Sequence, residues 1–245
     1  MTKFLYVSAR PEQLAATAEY ASFRSALGDQ FEVDRIDLTA TPLLDDAADR
    51  YAGFVIGGSP FNVSDTTRSD LQRRVENDLE RIAQQALTGT AAAFFTCYGI
   101  GVVTRMLGAA VDLQHPEPTS ATRIFTTHAA TEDPIFAPSA PSFLAFTAHK
   151  EASQLPPGAT LLASNDACPV QAYRVGDRLY AAQFHPELTP SDFAHRMYFY
   201  RDGGYFNPDE FAAVERAVLA ASVTEPRHIL RRFAEAFADP FAQNV

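Results

Sequence analysis

The feature that most restricts the fold is an alternation. Short, almost wholly apolar runs are each followed by a stretch with helical spacing. KFLYVS, from Lys3 to Ser8, reads as a buried first strand. Pro11 and Glu12 suit the first turn of a helix that runs to about Leu27 and stops at Gly28. FEVDRI, from Phe31, alternates as a second strand does, and YAGFVIGG, from Tyr51, is a third that ends in two glycines. Leu71, Val75, Leu79, Ile82 and Ala86 then recur at helical spacing with charges between them, and Gly89 follows where a helix cap belongs. AAAFF, ending at Phe95, is the fourth strand. Apolar strands separated by helices need both faces of their sheet covered. The prediction is an α/β fold with a mostly parallel, doubly wound sheet.

The second half changes character. Short strands are expected near Arg123–Thr127, Phe143–Ala148, Ala159–Ala163, Gln171–Val175 and Arg178–Phe184, with a hairpin turn at Gly176-Asp177. From Ser191 the pattern is helical. Asn207-Pro208-Asp209-Glu210 reads as an N-cap, a proline at the first helical position and a capping-box glutamate. The helix it opens should reach about Ala221, and another should run from about Glu225 to Ala238. Residues 1–190 thus form the expected domain, and residues 191–245 a helical extension packed on it.

Composition narrows the partners. The formal net charge of −10 argues against nucleic acid or an anionic membrane surface. The N-terminus lacks the apolar core of a signal peptide, and no apolar stretch is long enough to span a membrane. Two cysteines, Cys97 and Cys168, cannot build a disulfide framework, so a reducing, cytoplasmic setting is expected.

Three segments carry chemistry. In TCYGIG, Cys97 follows a buried strand and opens a helix, a position that raises a sulfur at the carboxyl end of the sheet and favours a thiolate. In QFHPEL, His185 and Glu187 are two residues apart on a strand-like run, so one side holds both an imidazole and a carboxylate that could orient it. In GGSP, two glycines after a strand can expose backbone N–H groups that would stabilise an oxyanion.

In this order, with His185 88 positions after Cys97, the three segments resemble the class I glutamine amidotransferases. The run from His149 to Glu187, HKEASQLPPG through QFHPE, looks especially like the amidotransferase part of GMP synthases. The resemblance covers roughly residues 1–190 and implies a flavodoxin-like sheet with the C-terminal helices as an extension. It implies that Cys97 attacks the side-chain amide of glutamine, that His185 moves the proton, and that Glu187 orients His185. It places the oxyanion against the N–H groups of Gly58 and Tyr98, and the substrate against Gly57, Ser59, Gly101, His149, Lys150 and Glu151. No metal or organic cofactor is implied.

The pattern also departs from the family. Gly101 stands where the family carries a substrate-contacting glutamine, Phe95 where it carries glycine, and Lys150-Glu151 where it often has Gly-Asp. Another γ-glutamyl amide is therefore open as substrate, and so is a non-catalytic binding role. The chain has neither a G-x-x-x-x-G-K-[ST] loop nor an S-G-G-x-D-S loop, so a synthetase partner would be a separate chain. The helical tail is left open as a cap over the site or a homodimer contact.

Other constellations read as structural. Thr104 breaks the dinucleotide pattern begun by Gly99 and Gly101. Cys168 before Pro169 reads as a core thiol, and His115, His128, His195 and His228 show no metal spacing with the cysteines. Phe193, Met197, Tyr198 and Tyr200 are expected in core or interface packing.

Overall fold

The computed structural model describes residues 2–201 and 208–238. Its centre is a nine-stranded sheet in the order β2-β1-β3-β4-β11-β10-β9-β6-β7. β1 (Lys3–Ser8), β2 (Glu32–Asp37), β3 (Gly53–Ile56), β4 (Ala92–Thr96) and β11 (Leu179–Ala182) pair in parallel. β6 (Glu117–Thr126), β7 (Ser142–His149), β9 (Thr160–Ser164) and β10 (Ala172–Val175) continue the sheet antiparallel. β5 (Val111–Asp112) and β8 (Ala152–Ser153) make a separate two-stranded ribbon. The sheet is mixed and mostly parallel, with helices on both sides.

Each face has its own core. On one, α1 (Gln13–Leu27) and α7 (Glu225–Phe237) bury Phe23, Ala26, Leu27, Ile229, Leu230 and Phe233 against Phe4, Tyr6, Phe94 and Tyr180. On the other, α3 (Asp70–Leu87) and α4 (Tyr98–Met106) bury Val75, Leu79, Ile82, Ile100 and Val103 against Leu5, Val7, Phe54 and Phe95. Alternate residues of β1 therefore serve opposite cores, as the period-two geometry of a strand demands. The ends of α3 follow from local chemistry. Ser69 accepts the Gln72 N–H at its start, and Gly89, at φ 80°, turns the chain after its end. α2 (Ala47–Arg50) is a single turn between β2 and β3.

The C-terminal helices sit around the same sheet. α5 (Pro190–Phe199) begins with a capping box between Thr189 and Asp192 and a proline in its first turn. With α6 (Phe211–Ala220) it forms a third core, in which Phe193, Met197, Phe211 and Val218 pack on Phe146 and Leu188.

Some expectations are corrected. β6 starts at Glu117, six residues before the expected Arg123, because its Pro-Thr-Ser-Ala opening is half exposed and carries no apolar signal. Asn207 lies outside the described residues; Pro208–Glu210 form a 3-10 turn, and the helix starts at Phe211 with no side-chain cap from Glu210. Among the described residues, no helix is long and apolar enough to cross a membrane.

Candidate active site

The sharpest local feature is Cys97. It sits between β4 and α4 at φ 51° and ψ −106°, the one positive-φ residue other than glycine among those described. Such a conformation is strained and persists where the surroundings impose it. Here the Cys97 N–H donates to Ala182 O at 2.8 Å, and Thr96 Oγ1 donates to Ile56 O at 2.8 Å, tying both neighbouring strands to the turn. Gly99 is needed because a Cβ there would lie 3.1 Å from the Phe95 side chain. Gly101 answers to another contact. Its Cβ would lie 3.1 Å from Val63 Cγ2, so it admits the loop after β3 rather than the turn at Cys97.

His185 and Glu187 follow β11, on the segment next to β4. The His185 backbone N–H donates to Phe146 O, and its ring Nδ1–H donates to Glu187 Oε1 at 3.1 Å. Burial alone would lower the His185 pKa; the Glu187 carboxylate and the Cys97 sulfur outweigh it and raise the value to about 9. Burial would raise the Glu187 pKa, but His185 and Arg196 hold it well below the usual carboxylate range.

Behind this pair lies a network that periodicity did not expose. Arg196 Nη1 donates to Glu187 Oε1 at 2.9 Å and lies 3.2 Å from Glu19 Oε1. Glu19 also accepts from Arg10 Nη2 at 2.9 Å, from Tyr6 Oη at 2.7 Å and from the Gly58 N–H at 3.3 Å. Burial works against the Glu19 charge, yet Arg10 and Arg196 keep its pKa low. The sequence held one clue. Ala15, Ala16, Glu19, Phe23 and Ala26 form one buried stripe of α1, and Glu19 is a charge where an apolar residue belongs.

Glu19 also corrects the expectation for the two glycines. A Cβ at Gly57 would collide with the Glu19 carboxylate, and one at Gly58 would lie 2.8 Å from Arg10 Nη2. Gly57 lines neither cavity at Cys97 among the described residues, and the Gly58 N–H is committed to Glu19. Tyr98 is the first residue of α4, so its N–H has no acceptor within the helix.

Two small cavities meet at Cys97 and Ser59. One, of about 50 Å³, is lined by Arg10, Thr119, Ala148, His185, Phe193, Arg196, Met197 and Tyr200. The other, of about 30 Å³, brings together Tyr98, Gly101, His149, Lys150 and Glu151 with Phe61, Asn62 and Gln183. Ser59, Gly101, His149, Lys150 and Glu151 thus gather where the sequence suggested. Two of their side chains are already engaged. Glu151 accepts the N–H groups of Val63 at 2.8 Å and Ser64 at 2.6 Å, so the carboxylate expected against the substrate is engaged by the loop after β3. His149 bonds Glu117 Oε2 through Nε2 at 2.7 Å and Glu151 O through Nδ1 at 2.8 Å. Phe193, Met197 and Tyr200, expected in packing alone, line the first cavity, whereas Tyr198 is exposed and donates to Glu215.

Two groups of side chains come close enough to suggest a metal. Among Glu19, His185 and Glu187, Arg196 Nη1 lies within 3.2 Å of all three, so a guanidinium already supplies the cation. In the second group Glu117 is filled by His149, Asn165 and Gln171. Burial pushes the Cys168 thiol up to about 12, which leaves it a poor ligand and a poor nucleophile.

Comparisons with known proteins bear on the family and the fold. The family model "Glutamine amidotransferase class-I" matches residues 19–201. The chain is 29% identical over 170 residues to "Gamma-glutamyl peptidase 3" of Arabidopsis thaliana, and 27% identical over 142 residues to the "Putative glutamine amidotransferase-like protein YfeJ" of Salmonella typhimurium. These matches span 66% and 58% of this chain, and 64% and 59% of the relatives' own lengths. Among solved structures, a glutamine amidotransferase from Thermotoga maritima superposes with a TM-score of 0.73 at 17% identity, over 97% of this chain and 98% of that one. A putative GMP synthase subunit from Thermoplasma acidophilum gives 0.61 at 22% identity, over 82% and 96%. The chain belongs to the class I glutamine amidotransferase family.

Proposed function

We propose that this chain hydrolyses the side-chain amide of glutamine, or of another γ-glutamyl compound, through a thioester on Cys97. The observation that carries the proposal is the strained turn holding Cys97 at the start of α4 and beside His185, whose pKa is raised to about 9. The raised pKa favours His185 as the imidazolium, the form it reaches on taking the Cys97 proton and the acid for a departing amine.

The sulfur attacks the amide carbon, and the carbonyl oxygen becomes an oxyanion within reach of the Tyr98 N–H. The C–N bond breaks as His185 passes its proton to nitrogen. Water, deprotonated by His185, then cleaves the thioester to give the acid, and His185 returns that proton to the leaving sulfur to restore the thiol. Glu187, fixed by Arg196, keeps the imidazole in place through Nδ1.

The test is product release from L-glutamine and a panel of γ-glutamyl amides, with Cys97→Ala as control. Loss of at least about a thousandfold in turnover is expected on removing the nucleophile. Full activity in Cys97→Ala would refute the mechanism. With glutamine as substrate, ammonia would pass to an acceptor on a separate synthetase chain. The likeness to the putative GMP synthase subunit of Thermoplasma acidophilum supports that version. A larger γ-glutamyl amide is favoured by Gly101 and by the likeness to the γ-glutamyl peptidase.

A further inference from the structure

We propose that the cavity on the His185 side of Cys97 is a subsite for the leaving amine, that the amine carries a carboxylate, and that Arg10 recognises it. The substrate class is then a γ-glutamyl amino acid or short γ-glutamyl peptide. The inference rests on the amidohydrolase reading and names the half of the substrate that reading leaves open.

The two cavities at Cys97 are not equivalent. His185 lines one and is absent from the lining of the other. The group that protonates the departing nitrogen must stand on the side to which that nitrogen leaves. The acyl half therefore belongs with Tyr98, Gly101 and Lys150, and the amine with His185, Arg10 and Tyr200.

The wall of the amine side is more than ammonia requires. Ala148, Phe193 and Met197 give it an apolar surface. Arg10 is 4% exposed and held in a fixed orientation: Nη2 donates to Glu19 Oε1 at 2.9 Å and Nη1 to the Tyr200 hydroxyl at 2.9 Å. Its Nε–H is buried and has no hydrogen-bond partner among the described residues. A buried guanidinium N–H without an acceptor is costly, and a carboxylate is the acceptor that matches it best. Arg196 is less available, because Nη1 is already shared between Glu187 and Glu19. Arg10 and Arg196 face Glu19 and Glu187, two cations against two anions, so recognition of a carboxylate here rests on a guanidinium N–H donor and not on an excess of positive charge. In the reaction the γ-glutamyl C–N bond breaks, the C–S bond forms, and the His185 proton leaves on the amino group of the released amino acid or peptide.

The test compares γ-L-glutamyl-L-phenylalanine with γ-L-glutamyl-phenethylamide, which keeps the ring and lacks the carboxylate, and with L-glutamine, all on the full chain. The acid should lead in kcat/KM by about tenfold or more, the usual effect of one hydrogen bond to a charged group. Arg10→Lys keeps the charge beside Glu19 and removes Nε; it should shrink the ratio of acid to phenethylamide severalfold, mostly through KM. Equal kcat/KM for acid and phenethylamide in the wild type, or a preference for glutamine over both, would overturn the subsite and leave the hydrolase standing. An unchanged ratio in Arg10→Lys would remove Arg10 from the role. Failure of the wild type to cleave all three would overturn both readings.

Discussion

At Cys97 and His185 the physics is local strain and charge. A cysteine at φ 51° relaxes unless both flanking strands hold it, and here hydrogen bonds to Ala182 and Ile56 do so. The raised pKa of His185 makes a measurable claim. Its folded value lies near 9 against an ordinary value of 6.5, so its contribution to stability is complete below about pH 6.5 and is lost as pH rises through about 9. The melting temperature of the wild type should therefore exceed that of His185→Gln by most at about pH 6, and the gap should narrow steadily to about pH 10. The window spans on the order of 3 kcal/mol at about 1.4 kcal/mol per pH unit. A gap that does not change with pH would show that Glu187 and Cys97 do not hold the proton on His185. The positions of these residues were legible from TCYGIG and HPE, because each segment follows an apolar strand and the two strands, β4 and β11, are neighbours. Arg10, Glu19 and Arg196 were not. Their partners are up to 190 residues away, as between Arg10 and Tyr200, and no local period reports them.

Among the elements, the loop after β3 decides the shape of the cavity lined by Tyr98, Gly101 and Lys150. It reaches α4 because Gly101 has no side chain, and it stays there because Glu151 accepts the Val63 and Ser64 amides. Glu151→Ala should cost about 1–3 kcal/mol by leaving these donors without their charged acceptor. It should also make residues 61–66 a site of limited proteolysis and raise KM several-fold. Denaturant titration and a timed digest would check it, and an unchanged digest would mean that packing on Gly101 is enough. The strand and helix positions up to Phe95 were readable because apolar runs and helical spacing follow directly from burial on a two-sided sheet. The start of β6 was not, since exposed Pro118 and half-exposed Ser120 and Thr122 give the opening of the strand no apolar signature.

For the molecule as a whole, the helices beyond residue 190 close both the site and the core. α5 brings Phe193, Arg196 and Met197 to the cavity beside Cys97 and His185, and α7 packs Phe233 against Phe4, Phe94 and Tyr180 with ring centroids 5.4–6.4 Å apart. Phe233 is fully buried, so Phe233→Ala should destabilise the fold by about 3–5 kcal/mol, read as a lower denaturation midpoint with unchanged slope. A loss below about 1 kcal/mol would mean that α7 merely rests on the sheet. By itself the sequence determined the layered α/β plan, the turn at Cys97 and the pairing of His185 with Glu187, because each follows from apolar spacing or from residues close in the chain. The tertiary structure alone decided that Glu19 stands behind the two glycines and that Arg10 and Arg196 stand beside Cys97, His185 and Glu187. It also decided that Glu151 braces a loop instead of facing solvent. A charge is buried where distant segments supply its partners, and that supply exists once the sheet and its two layers of helices have come together.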